Sequence, residues 1–235
     1  MQITSEDILA NGIGRTTLKL VLEQQEAVHL LHPKQLIAFQ GASSQREDRL
    51  LNPKGIMRKK KLVKAVLTGP AAAMIALPAG YSVTSVPIQG DSSLLFEFRH
   101  LLYYTDLITM KSVVQSAKNM LITRDLIRMR FAGEGSIGLL SRGPLQTWEL
   151  DPERPSFIDS RCLIAYPADA KLDLCVYGNH LAAQHMAYHW KLTGTGTALL
   201  QAAPSDPGFE EQLGGDGLMK RTLREILPFG NIWIR

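Results

Sequence analysis

Three histidines, His180, His185 and His189, form an H-x4-H-x3-H pattern with Tyr188 and Trp190 beside the last of them. Two histidines at i and i+4 on a helix share a face and can hold zinc or another divalent cation. His185 and His189 have that spacing and are the metal candidates. His180 falls outside the register, and the glutamate of an H-E-x-x-H motif is missing. The better reading is a set of protonation-sensitive histidines at a surface or interface, with no metal or other cofactor expected.

Nucleophilic catalysis would need a serine or cysteine beside a histidine and an acid. No G-x-S-x-G elbow occurs, and Ser136 and Ser141 fall in a strand-like run. Glu97 is followed two residues later by Arg99, and Asp159 by Arg161. Residues i and i+2 of a strand share a face, so each couple predicts a structural ion pair rather than a carboxylate free for acid–base work. Cys162 and Cys175 lie in apolar stretches outside any C-x-x-C motif, which predicts buried free thiols in a reducing cytosol. The densest charge is Arg58-Lys59-Lys60-Lys61, with Lys64 following. Its plain reading is a solvated loop. Its sharper one is contact with an anionic membrane surface. No aromatic residue interleaves with the run, so nucleic acid is not favoured as a partner.

The elements that must position these residues repeat along the chain. A shift of 62 aligns Ile88–Tyr104 with Leu150–Tyr166, so that Glu97 meets Asp159, Arg99 meets Arg161 and Tyr104 meets Tyr166. Leu22–Phe39, ending in Leu36-Ile37-Ala38-Phe39, is a third copy. A glycine box follows each copy: Gly69-Pro70, then Gly133-Glu134-Gly135, then Gly194-Thr195-Gly196. An apolar run follows each box. Two boxes in one order, three times over, predict three related units of about 60 residues, spanning residues 15–80, 81–142 and 143–203. The box reads as a tight connection or bulge between two strands, with Gly69, Gly133, Gly135, Gly194 and Gly196 as structural glycines. A phosphate-cradling loop would need a helix after it, and a strand-like run follows instead. In this alignment His189 meets Arg128, predicting a polar surface position.

Short runs bounded by turn residues predict strands almost throughout. Asp106–Asn119 and His180–His189 read as weakly helical links. Leu218–Leu227 reads as a helix stopped by Pro228, and Asn231–Arg235 as a final strand. Tyr103, Tyr104, Tyr166 and Phe39 occupy or adjoin matching positions and are expected in the core. The chain has 235 residues, 45% of them apolar and 20% charged, with a net charge of +4. These values exclude a disordered chain. The longest apolar stretch, Ala71–Ala79, is too short to span a bilayer, and the start of the sequence lacks a signal-peptide pattern. One domain over residues 1–235 is expected, with residues 204–235 as a helical extension, in a cytoplasmic protein that could sit at a membrane periphery.

Phe131–Gly143, Leu150–Tyr166 and Leu192–Gln201 resemble the altered-inheritance-of-mitochondria family, member twenty-four of that gene series, and its bacterial relatives. The sequence departs from the family in having Pro152-Glu153 for Pro-Gly and Ile158-Asp159 for Val-Asp. The resemblance implies an all-β fold like that of the tryptophan RNA-binding attenuator protein, a β-sandwich or barrel whose successive repeats pack around a pseudo-threefold arrangement. It also implies a homo-oligomer, and it supplies no catalytic residues. The functional expectation is a non-enzymatic oligomeric scaffold or interaction protein. The alternatives are a small-molecule or RNA binding module by fold analogy, and, further off, a metal-dependent enzyme built on His180, His185 and His189.

Overall fold

The computed structural model describes residues 1–10, 13–51, 62–114, 127–176 and 188–204. These residues are all-β, with no helix longer than a 3-10 turn among them. Arg58, Lys59, Lys60, Lys61, His180, His185, the helix expected over Leu218–Leu227 and the strand expected over Asn231–Arg235 lie outside the described residues.

The chain opens with β1 (Gln2–Ala10), β2 (Ile13–Leu22), β3 (Ala27–Leu30), β4 (Leu36–Gln40), β5 (Arg46–Leu51), β6 (Leu62–Thr68) and β7 (Ala71–Ala76). It continues with β8 (Tyr81–Asp91), β9 (Leu94–Glu97), β10 (Leu101–Thr105), β11 (Ile108–Val114) and the long β12 (Ile127–Arg142). The last part holds β13 (Leu145–Leu150), β14 (Ser156–Asp159), β15 (Leu163–Pro167), β16 (Lys171–Val176), β17 (Tyr188–Thr193) and β18 (Gly196–Gln201). All pairing is antiparallel. One pattern of neighbours occurs three times: β7 lies between β2 and β4, the second half of β12 between β8 and β10, and β18 between β13 and β15. Likewise β6 lies between β3 and β5, the first half of β12 between β9 and β11, and β17 between β14 and β16. Two further ladders, β3 with β10 and β9 with β15, join successive parts of the chain.

Three sequence expectations change here. Residues 106–114 are not helical: β11 pairs with β12 from Ile108↔Gly133 to Val114↔Ile127. Along it Ile108, Met110 and Ser112 turn inward while Thr109, Lys111 and Val113 face out, the period of two that a strand imposes. Pairing to a long neighbour overrides a weak helical pattern. The second glycine box is not a turn between strands either, because β12 runs through it unbroken. Gly133 (φ 118°) and Gly135 (φ 157°) bend the strand where its partners on either side change. In the third part the box does separate two strands, β17 and β18. The end of the expected His180–His189 helix is also strand, since Tyr188 and His189 begin β17.

Three apolar clusters fill the interior. Each takes residues from across a joint: Leu102, Tyr103 and Leu140 pack with Leu18, Leu20 and Ile75, while Ile164 and Leu199 pack with Leu101, Phe131 and Leu139. Leu95 joins Leu163, Trp190 and Leu192 in the third cluster. The Tyr103 ring lies so closely on Gly138 that a Cβ there would come within 2.1 Å of it.

Candidate functional site

A group of chemistry-bearing side chains at the joint between β3, β6 and β10 is built on Lys64. Lys64 sits on β6, whose Cα partner across β5 is Arg49. Its Nζ donates to Nδ1 of His29 at 3.0 Å and to the Tyr104 hydroxyl oxygen at 2.9 Å. An ammonium has no lone pair to offer, so Nδ1 accepts and the Nε2 proton of His29 is donated to Oδ1 of Asp106 at 2.9 Å. The His29 and Tyr104 rings stack at 4.5 Å. Burial lowers the His29 pKa, nearby Lys64 adds to this, and Asp106 opposes it. Burial also lowers Lys64, with help from Arg49. Tyr104 is pushed up to about 12, chiefly by burial and then by Asp106. The arrangement is a neutral imidazole and a neutral phenol holding one ammonium. It fastens the strand that follows the lysine-rich segment. Lys64 was visible in sequence only as an outlier of the basic run. Its partners come from β3 and β10, which no local spacing connects.

A second polar group is buried under the middle of the chain. Arg128 on β12 is 1% exposed, so its alignment with His189 gives no ground for the surface position expected of His189, which is itself half-buried. The Cα partner of Arg128 is Glu97, and the two side chains form an ion pair. Glu97 also accepts from Arg99, with Nε–H donating at 2.7 Å. Arg128 lies over the Tyr166 ring at 5.7 Å. Burial pulls Arg128 down to about 10, so it remains charged at neutral pH. His100 donates Nδ1–H to the Leu140 carbonyl at 2.8 Å, and burial lowers its pKa to about 3. The equivalent couple in the third part is Asp159 with Arg161, bonded at 2.8 and 3.1 Å.

His189 lies in a row across three strands, with Asp159 on one side and Cys175 on the other. Cysteine, histidine and aspartate side by side suggest a thiol nucleophile. Yet Asp159 is engaged by Arg161, and burial raises the Cys175 thiol, with Lys191 opposing and Asp173 adding to the rise. A raised thiol is a poor nucleophile at neutral pH. Cys162 is likewise raised by burial, and both cysteines are free and half-buried rather than fully buried as expected. Among the described residues no three His, Cys, Asp or Glu side chains are placed to hold a metal ion. Ser141 donates to the Gly143 carbonyl, and the Ser136 N–H donates to Thr105 Oγ1. Tyr103, Tyr104 and Tyr166 are buried.

Two exposed features lie on the surface of the described residues. At the open end of the β5–β6 ladder, the cross-strand pair Leu50 and Val63 is 50% and 39% exposed. A shallow cleft of about 350 Å³ runs beside β14, lined by Trp148, Arg154, Pro155, Ser156 and Phe157 among others. No helix of the described residues is long and apolar enough to cross a membrane.

Comparison with known proteins places this geometry. The crystal structure of protein SPYM3_0169 from Streptococcus pyogenes has a similar fold, with a TM-score of 0.58 and 14% identity over 94% of this chain and 100% of that one. No curated protein matches the chain. Residues 12–203 match the family model described as mitochondrial biogenesis AIM24, and with a match over most of its length the chain belongs to that family.

Proposed function

We propose that the protein is a non-enzymatic, oligomeric scaffold that sits at the periphery of an anionic membrane on its cytoplasmic face. Its body is read as three related β units of the tryptophan RNA-binding attenuator protein-like kind. The recurring order of strand neighbours supports that reading. The observation that carries the membrane contact is the exposed Leu50–Val63 pair at the base of the segment containing Arg58, Lys59, Lys60 and Lys61. Apolar side chains beside a basic run suit a headgroup surface: the charges are attracted by anionic lipid and the apolar pair enters the interface. The Lys64 cluster supports this reading by fixing the returning strand, which leaves the run between two anchored ends.

The test is flotation of the full chain with vesicles containing phosphatidylserine. Each basic residue near such a surface contributes about 1 kcal/mol. Replacing Lys59, Lys60 and Lys61 with glutamine is therefore expected to weaken binding about a hundredfold. Raising the salt should weaken it too, and vesicles of phosphatidylcholine alone should leave the protein at the bottom of the gradient. Equal binding to neutral vesicles, or binding indifferent to the triple substitution, would overturn the proposal.

A further inference from the structure

The ladders that join successive parts of the chain are made twice, in one register. β10 meets β3 with Tyr103↔Leu30 and Tyr104↔His29. β15 meets β9 with Ala165↔Phe96 and Tyr166↔Leu95. The strand on the incoming side carries a bulge each time. β10 slips against β12 between Leu101 and Tyr103, and β15 against β18 between Leu163 and Ala165. The bulged residues, Leu102 and Ile164, are fully buried in the cluster of the preceding part. They act as knobs that lock one part onto the one before.

β4 is the third strand of this kind. It has the same slip against β7, between Leu36 and Ala38, and its bulged residue is Ile37. Ile37 is 56% exposed. β4 ends the sheet β1-β2-β7-β4. The third strand of the receiving kind is β14, which stands where β3 and β9 stand and ends the sheet β14-β17-β16. It carries Phe157, 38% exposed, and beside it lies Trp148, 51% exposed, on the cleft described above. Among the described residues each chain thus keeps one incoming edge and one receiving edge, and each shows apolar side chains to water. A single exposed apolar residue needs no explanation. Two complementary edges whose counterparts are buried elsewhere in the same chain do.

We infer that β4 of one copy pairs with β14 of a second copy, repeating between chains the ladder made twice within each. This rests on the oligomeric reading proposed above and gives it a surface. The register follows from the internal ladders: Ala38 opposite Ile158, Phe39 opposite Phe157 and Gln40 opposite Ser156. Ile37 enters the partner's third cluster, beside Trp190. The contact is head-to-tail, so it closes into a ring when the rotation allows and otherwise extends as a filament. The second copy is favoured over other occupants because the interface continues two existing joints with the same strand direction, bulge and knob.

The test uses the full-length chain with Cys162 and Cys175 replaced by alanine. A tagged copy carrying Gln40→Cys is co-expressed with an untagged copy carrying Ser156→Cys, and both are oxidised. The expected product is a disulfide-linked pair of one tagged and one untagged chain, with neither variant linking to itself. Light scattering of the unmodified protein should give a multiple of 26.0 kDa, and Ile37→Asp should reduce it to 26.0 kDa with an unchanged strand signal in circular dichroism. Ile37 is exposed in the free chain, so the substitution spares the core. Should that variant not fold, the cross-link decides alone. An oligomer that neither cross-links nor responds to Ile37→Asp overturns this interface and leaves the scaffold reading standing. A monomer at tens of micromolar overturns both. A link formed within one chain carrying both cysteines shows that the edges close on themselves, and it also overturns the inference.

Discussion

Arg128 brings a guanidinium into an apolar interior, and Glu97 is what makes it tolerable there. Breaking such a pair leaves a buried charge without its counter-ion, which costs about 3–5 kcal/mol. Glu97→Gln should therefore lower the unfolding free energy by that amount in urea titrations. Adding Arg128→Met should recover most of it, because an apolar side chain of similar length needs no partner. Two histidines with buried Nε2 atoms, His32 and His100, act through pH instead. His32 and His100 are lowered by burial to about 4 and about 3, against 6.5 in the unfolded chain. Above pH 6.5 both states carry neutral imidazoles, and these groups leave stability unchanged. Between about pH 6.5 and 4 the unfolded chain binds two protons that the folded chain refuses, so stability falls as the pH drops. The slope is roughly 3 kcal/mol per pH unit for two groups. His29, lowered more modestly, adds to it with the same sign. His100→Asn keeps a donor for the Leu140 carbonyl and should remove about half of the slope across urea midpoints at pH 4.5 to 7.5. A slope unchanged by that substitution would show that other groups take up the protons.

At the scale of the element, β12 decides the architecture, because its two halves serve different sets of neighbours. Gly133 marks the change: its φ is 118°, and a Cβ there would come within 2.2 Å of the Leu107 carbonyl oxygen. Gly133→Ala is expected to cost roughly 3 kcal/mol through backbone strain and the clash together. Gly90→Ala, at φ 70° with no heavy atom within 4 Å of the added Cβ, should cost only about 1 kcal/mol. Urea midpoints of the two variants test the contrast. The glycine boxes were legible in sequence as punctuation. The Glu97–Arg99 and Asp159–Arg161 couples were legible as i, i+2 pairs, but not for the strand-face reason: Glu97 and Asp159 end β9 and β14, and each arginine folds back onto its acid from the turn that follows. The surface reading of His189 failed because alignment transfers position and not environment: its counterpart Arg128 is buried against a counter-ion from β9, while His189 sits half-buried in its own row. The Lys64 cluster was not legible at all. It exists only where β3, β6 and β10 meet, and that meeting depends on a ladder between residues some 75 positions apart, Leu30↔Tyr103 among them. β11 was missed for a related reason, since Asp106–Asn119 has no strong pattern until β12 supplies a partner.

For the whole molecule, the joints predict how it unfolds. Each apolar cluster spans a joint, so none of the three parts holds a complete interior by itself. Loss of one part should then strip apolar cover from the next, and the described body should unfold as one cooperative unit. Ile75 is fully buried in the first cluster, on β7. Trp190 is fully buried in the third, on β17. Ile75→Ala removes a large side chain at one end and should cost about 2–5 kcal/mol. If the parts are coupled, tryptophan fluorescence at the other end will report the loss in full. Its urea midpoint should fall together with that of far-ultraviolet circular dichroism, and the two curves should superimpose in both proteins. Independent units would behave otherwise: circular dichroism would split into two phases, while the fluorescence midpoint stayed where it was in the parent chain. Ladders between β3 and β10 and between β9 and β15 are the physical reason to expect the first result, because each makes a strand of one part the sheet neighbour of the next.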